Sequence, residues 1–395
     1  MVGNATRRAL VTIVDLCLDE QVDALLLAGD LYDGDQTSMK TARFLATQLR
    51  RLDEAGIRTF VIRGNHDALS RITRELVLPE TVKVFGGRAE AITIERDSGS
   101  VPIVVHGLSF AQPHAPEGLL PRYKTLVEGA VNIGLMHTSL AGSAGHDPYA
   151  PCSVADLQAT GFRYWALGHI HKRSVVEGTC AVVMPGMPQG RDVNEAGPKS
   201  VTLVTVADDG AITIDERLTS LAQFERVGVD LTGIEDWRDI AAAITRTLEH
   251  ARSVAISEHL VARLSLTGTT PLAWRARRDT DLLRTEAAER ASVVGNCWIE
   301  KLDVECTPPS AVAGPVSDPV VELRQLIDSD VIRSEAYRSE AVRLVDELRG
   351  QLPPECRHLL GTDEGSFAAV LEALARAGAD EVLARLHAGP AEEAG

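Results

Sequence analysis

Between Asn4 and Glu20 the apolar residues Leu10, Ile13, Val14 and Cys17 return at helical spacing, behind an asparagine suited to capping a helix. DALLLAGD (23–30) follows as a short unbroken apolar run, the pattern of a strand buried on both faces. A second helix is expected from about Thr37 to Ala55, stopped by Gly56, and RTFVIRGNHD then repeats the passage from apolar strand to polar loop. VNIGLMHTS (131–139) and YWALGHIHK (164–172) repeat it again. Each of these four strands runs into glycine with Asp, Asn or His close behind. In open α/β sheets ligands gather at the carboxyl ends of strands, so the four loops are expected to meet.

TCAVVMPGMPQGRDV, SVTLVTVADDG and AITIDERL read as strands closing this first domain, at about residue 220. Residues 221–306 read as a smaller α+β unit, with strands in RVGVDLTG, HLVARLSLTG and CWIEKLDVE and an amphipathic helix in EDWRDIAAAITRTLEHA. A breaker-rich linker at 307–318 separates a helical tail, 319–395, which carries one stripe of Val320, Leu323 and Ile327 and another of Leu344, Val345 and Leu348. The closing GPAEEAG reads as disordered.

At 395 residues and 45% hydrophobic, the chain is long enough for two or three domains. Its six cysteines lie scattered without a CxxC pair, which argues against a disulfide framework and a structural zinc site and suits a reducing, cytoplasmic setting. No apolar run is long enough to cross a bilayer and residues 1–25 lack the form of a signal peptide, so no membrane partner is expected. The net charge of −16 speaks against coating nucleic acid through an overall field; any DNA contact is expected to be local or metal-mediated.

His169 and His171 in GHIH stand two apart, so on an extended segment both leave the same face. With Asp30 from AGDLYDG, Asn65 from GNHD and His137 from LMHTS they offer carboxylate, amide oxygen and imidazole, a set suited to Mn²⁺, Fe²⁺ or Zn²⁺ rather than Ca²⁺. A carboxylate bridging two ions would clamp a phosphoester for hydrolysis. His66, beside Asn65, is the residue expected to act as an acid or to hold a phosphate oxygen. Alone, each has a plainer reading: a turn at GD, a hydrogen-bonded core histidine at 137, a polar loop at GNHD. Their joint appearance in this order carries the metal reading.

GDLYD, GNHD, the later MH and GHIH resemble the second to fifth motifs of the calcineurin-like metallophosphoesterases. MPGMPQGRDVNEAGPKS (184–200) is similar to the DNA double-strand-break repair exonuclease branch, SbcD-like and most closely YhaO-like. The resemblance implies a metallophosphoesterase β-sandwich flanked by helices, with a smaller α+β capping domain and a helical C-terminal tail. It implies a two-ion manganese centre with Asp30 as the bridging carboxylate, Asn65, His137 and His169 on one ion, His171 on the other and His66 as the catalytic histidine. It also implies DNA as substrate and an SMC-like ATPase as partner, and it alone carries the expectation of a homodimer.

The family begins with a strand ending in a D-x-H motif whose two ligands complete the site served by His171, and none of the eleven histidines here has an aspartate two residues earlier. Either the true start lies upstream of Met1, which the intact remaining ligands favour, or the chain binds without cutting. Three functions follow: a DNA exonuclease or endonuclease in repair, a phosphodiesterase acting on a small nucleotide, and a non-catalytic subunit that holds DNA ends and the ATPase. The arginines of WRARRD (Arg275, Arg277, Arg278) would serve the first by touching backbone phosphates, or would simply form solvated surface.

Overall fold

A computed structural model of the chain describes residues 4–32, 39–67, 77–96, 99–110, 112, 118–140, 149–309 and 319–386. The expected helix start at Thr37, linker residues 310–318 and the closing GPAEEAG lie outside the described residues. The chain divides into two compact units, Met1–Glu225 with Ala255–Leu260 and Arg226–Val254 with Val261–Gly395.

The first unit opens with α1 (Ala5–Asp19), β1 (Ala24–Leu27), α2 (Met39–Glu54), β2 (Arg58–Val61) and β3 (Val82–Val84); the three strands form a parallel sheet in the order β1-β2-β3. Next come β4 (Glu90–Ile94), β5 (Ile103–Gly107), β6 (Val131–His137), α3 (Val154–Ala159), β7 (Tyr164–Gly168), β8 (Ser174–Val176) and β9 (Ala181–Met184). They build a six-stranded sheet ordered β4-β5-β6-β7-β9-β8, parallel at its centre and antiparallel at both edges. An antiparallel hairpin, β10 (Ser200–Val206) and β11 (Ile212–Leu218), completes the unit.

Strand alternation builds the layers. Ala24 and Leu26 of β1 face a core shared with Phe60, Ile133, Leu135 and Val183, while Leu25 and Leu27 face α1 and α2 through Val14, Leu45, Leu49 and Leu52. On the far side Met136, Trp165, Leu167 and Val182 turn outward to Leu157 of α3. The result is a β-sandwich flanked by helices. Asn4 precedes α1 without a side-chain capping bond, contrary to expectation; the buried face of Ala9, Ile13, Val14 and Cys17 holds the helix instead.

Among the described residues β1 pairs only with β2. β10 lends Val201 to the cluster of Leu25 and Leu27, and Val204 and Val206 to that of Ala24 and Leu26, yet its ladder runs to β11 alone. Among the described residues one backbone edge of β1 is therefore unpaired.

β12 (Ala222–Asp230) and β13 (His259–Thr267) begin in the first unit and run on into the second, which also holds α4 (Trp237–Val254), α5 (Ala273–Arg278), α6 (Thr280–Val294) and β14 (Cys297–Val304), with sheet order β12-β13-β14. The tail follows as α7 (Pro319–Leu326), α8 (Glu335–Gln351) and α9 (Glu364–Leu386). Leu383 and Ala384 of α9 close over Trp274 of α5, joined by Val320, Leu323 and Ile327, so the first tail stripe packs on its own unit. α8 has no buried residue, and Leu344 and Leu348 remain about half exposed. No described helix is long and apolar enough to cross a membrane.

Candidate metal centre

Four loops deliver the polar groups. Asp30 follows β1 with φ of 55° and His169 follows β7 with φ of 104°, both in the left-handed region that a side chain disfavours. Such strain persists where the surroundings hold it, and at a site it fixes where a side chain points. Asn65 leads from β2, and His137 is the last residue of β6.

The side chains converge. His137 Nε2 lies 3.2 Å from Asp30 Oδ2 and 2.9 Å from Asn65 Oδ1, while His169 Nδ1 lies 3.2 Å from the same amide oxygen. One ligand atom each from Asp30, His137 and His169 falls within 4.8 Å of the others. His137 Nδ1 donates to the Ala28 carbonyl at 2.8 Å, since a carbonyl only accepts, and this leaves the Nε2 of a neutral ring as a lone pair. That lone pair meets two oxygens that also bring lone pairs. The arrangement is attractive only with a proton or a cation among them, and the donor set is one that a divalent transition metal accepts.

Burial pushes the Asp30 carboxyl up, but a proton on the His137 ring, through its hydrogen bond and charge, and the His66 amide, donating at 3.0 Å, outweigh it and hold Asp30 below the usual carboxylate range. Asp30 is thus an anion suited to a cation. The His66 side chain is exposed beside it.

Asp30, Asn65, His137 and His169 come together as a group; His171 stands apart from it, its Nδ1 2.9 Å from Glu195 Oε1. Two acids that sequence reasoning left unread belong to the surroundings. Asp67, only 1% exposed, accepts from the backbone nitrogens of Leu31 and Gly64 and so ties the Asp30 loop to the Asn65 loop. Burial, with the charge of Asp30, pushes its carboxyl up against those bonds. Its signal was the last letter of GNHD. Glu195 sits in GRDVNEAG; burial would raise its carboxyl, but Arg191 and His171 hold it below the usual range.

The arginines of WRARRD are engaged within their own unit. Arg275 lies over the Trp237 ring at 4.6 Å, Arg277 reaches Asp380 at 3.5 Å, and Arg278 pairs with Asp279 at 2.8 Å.

Residues 3–173 match the calcineurin-like phosphoesterase family, and residues 224–307 match the middle domain of the metallophosphoesterase YhaO. The chain carries a calcineurin-like metallophosphoesterase domain. Within that class the chain is similar to the YhaO-like metallophosphoesterases. It is 35% identical over 260 residues to the uncharacterised metallophosphoesterase YhaO of Bacillus subtilis, covering 66% of this chain and 63% of that one. Over 184 residues it is 27% identical to the DNA double-strand break repair protein Mre11 of Sulfurisphaera tokodaii, covering 45% and 46%. Over 240 residues it is 26% identical to the SbcD component of the nuclease SbcCD of Bacillus subtilis, covering 51% and 61%. The chain spans less than two thirds of the length of each of these relatives.

Proposed function

We propose that this metallophosphoesterase hydrolyses phosphodiester bonds in DNA, as the manganese-dependent nuclease subunit of a repair complex with an SMC-like ATPase. The convergence of Asp30, Asn65, His137 and His169 carries the reading, because this donor set at the ends of parallel strands suits a divalent ion and little else. Similarity to a break-repair protein and to a nuclease component supports DNA as substrate.

In this reading residues 1–220 form the nuclease, residues 221–306 a capping, DNA-binding domain, and residues 319–395, beyond the linker at 307–318, the ATPase contact. Bound divalent ions supply Lewis acidity and an activated water. Asp30 holds charge at the centre, Asn65, His137 and His169 fix its geometry, and His171 serves a second position. His66 lies exposed beside Asp30, where it holds a phosphate oxygen or delivers a proton to the leaving group.

Asp30→Asn and His137→Ala are each expected to abolish manganese-dependent cleavage of duplex DNA while the circular dichroism stays that of a folded chain. Unchanged cleavage in both variants refutes the proposal. Comparing the wild-type rate on duplex DNA with that on a bis-nitrophenyl phosphate ester separates a nuclease from an enzyme of small phosphodiesters; a rate confined to the ester reassigns the substrate.

A further inference from the structure

We propose that Glu195 fixes the ring of His171 so that Nε2 is the nitrogen presented to a metal ion, which makes Glu195 a positioning residue of the centre. The inference rests on reading His171 as a ligand. Glu195 Oε1 lies 2.9 Å from His171 Nδ1. Its other oxygen accepts from the backbone nitrogen of Arg191 at 2.8 Å, and the Arg191 guanidinium reaches Oε1 at 3.0 Å. With both oxygens held, the carboxylate is not free to turn away. A carboxylate accepts, so His171 Nδ1 is the donor, and the lone pair of the neutral ring falls on Nε2. Carboxylates that orient histidines in this way raise their basicity toward a metal. The side chain of His171 is 44% exposed, so packing does not set its rotation and Glu195 does.

The segment that carries Glu195 is built as a support. Gly186, at φ of 80°, comes so close beneath the histidine loop that a Cβ would lie 2.8 Å from the His171 carbonyl and 3.0 Å from the Arg173 nitrogen. Gln189 is buried with its amide fully used: it donates to the carbonyls of Gly190 and Ala222 at 2.8 and 2.7 Å, and accepts from Leu221 and Ala222 at 2.8 and 3.2 Å. Val193, 2% exposed, anchors the short turn that ends at Glu195, and Asp192 caps that turn by accepting from Asn194 at 2.7 Å. Gly186 therefore sets the height of the His171 backbone and Glu195 the rotation of its ring. This gives MPGMPQGRDVNEAG a purpose that its sequence alone did not supply.

The test is long-range proton–nitrogen NMR on the metal-free, full-length chain labelled with ¹⁵N-histidine, followed by titration with Zn²⁺ as a diamagnetic probe. Wild-type His171 is expected to be protonated at Nδ1, Glu195→Ala to show both tautomers, and Glu195→Gln to keep the wild-type tautomer through its amide oxygen. Zn²⁺ should move the Nε2 resonance at about 10–100-fold lower concentration in the wild type than in Glu195→Ala. Protonation at Nε2 in the wild type overturns the inference without any variant, as do an unchanged tautomer or an unchanged Zn²⁺ midpoint in a folded Glu195→Ala. A chain that behaves as expected and yet cleaves no phosphodiester refutes the nuclease reading and leaves the orientation of His171 standing.

Discussion

Gly64 occupies a place that no larger residue can share. A Cβ there would overlap Asp30 Oδ1 and meet the His137 ring, and those are two of the converging donors. Gly64→Ala is expected to spread the ligands and weaken Mn²⁺ binding by about 10–100-fold, read by calorimetry, because a displacement just outside the ligands costs that much in comparable sites. An unchanged affinity would mean that the donors do not converge as described. His106 gives a second prediction at this scale. It is fully buried, its Nε2 lies 2.8 Å from Asn132 Oδ1, and its Nδ1 has no hydrogen-bond partner among the described residues. Burial lowers its pKa below the ordinary 6.5, against the bond that Nε2 donates to Asn132. As pH falls below that value the unfolded chain takes a proton first, so stability is whole above about pH 6.5 and drops until the folded ring protonates too. His106→Gln should flatten that part of a plot of urea midpoint against pH; an unchanged slope would remove His106 as its cause.

At the scale of elements, the strands that bear the converging side chains were the legible part of the sequence. Each is a short apolar run that ends on glycine and a polar side chain, and β1, β2, β6 and β7 lie where those runs fall. α6 was not legible. Its buried stripe is Leu283, Ala287 and Ala291, and alanines at that spacing leave little contrast between faces. The four converging side chains could be named because strand ends meet in such folds, whereas Asp67 and Glu195 act through hydrogen bonds to partners that spacing does not reveal. The tail shows the same limit, since its two stripes look alike in sequence and differ in the fold. Leu383→Ala, at the contact with Trp274, is expected to cost about 2–5 kcal/mol in urea unfolding. Leu344→Glu with Leu348→Glu should change stability by no more than about 0.5 kcal/mol each, as exposed positions do, while removing co-purification with the ATPase proposed as partner. Retained co-purification would place the partner elsewhere.

For the whole molecule, metal occupancy and stability are linked. An ion that binds the folded chain and not the unfolded one adds about 2.7 kcal/mol at a hundred times its dissociation constant. Mn²⁺ should therefore raise the thermal midpoint of the chain and a chelator should lower it again; Asp30→Ala should remove the response. A full response in Asp30→Ala would mean that the ion binds away from these loops. The net charge of −16 also makes the field of the molecule repel DNA, so binding is expected to depend on the ions more than on salt-sensitive basic contacts.

The edge of β1 that is unpaired among the described residues makes the chain an acceptor for a strand added from outside. Its backbone groups are aligned for one more strand, and Leu25 and Leu27 on one side with Ala24 and Leu26 on the other already sort the side chains such a strand would bring. A short synthetic peptide of alternating apolar residues ending in Asp-x-His would then report its own docking, as a rise in hydrolysis above the rate of the chain alone.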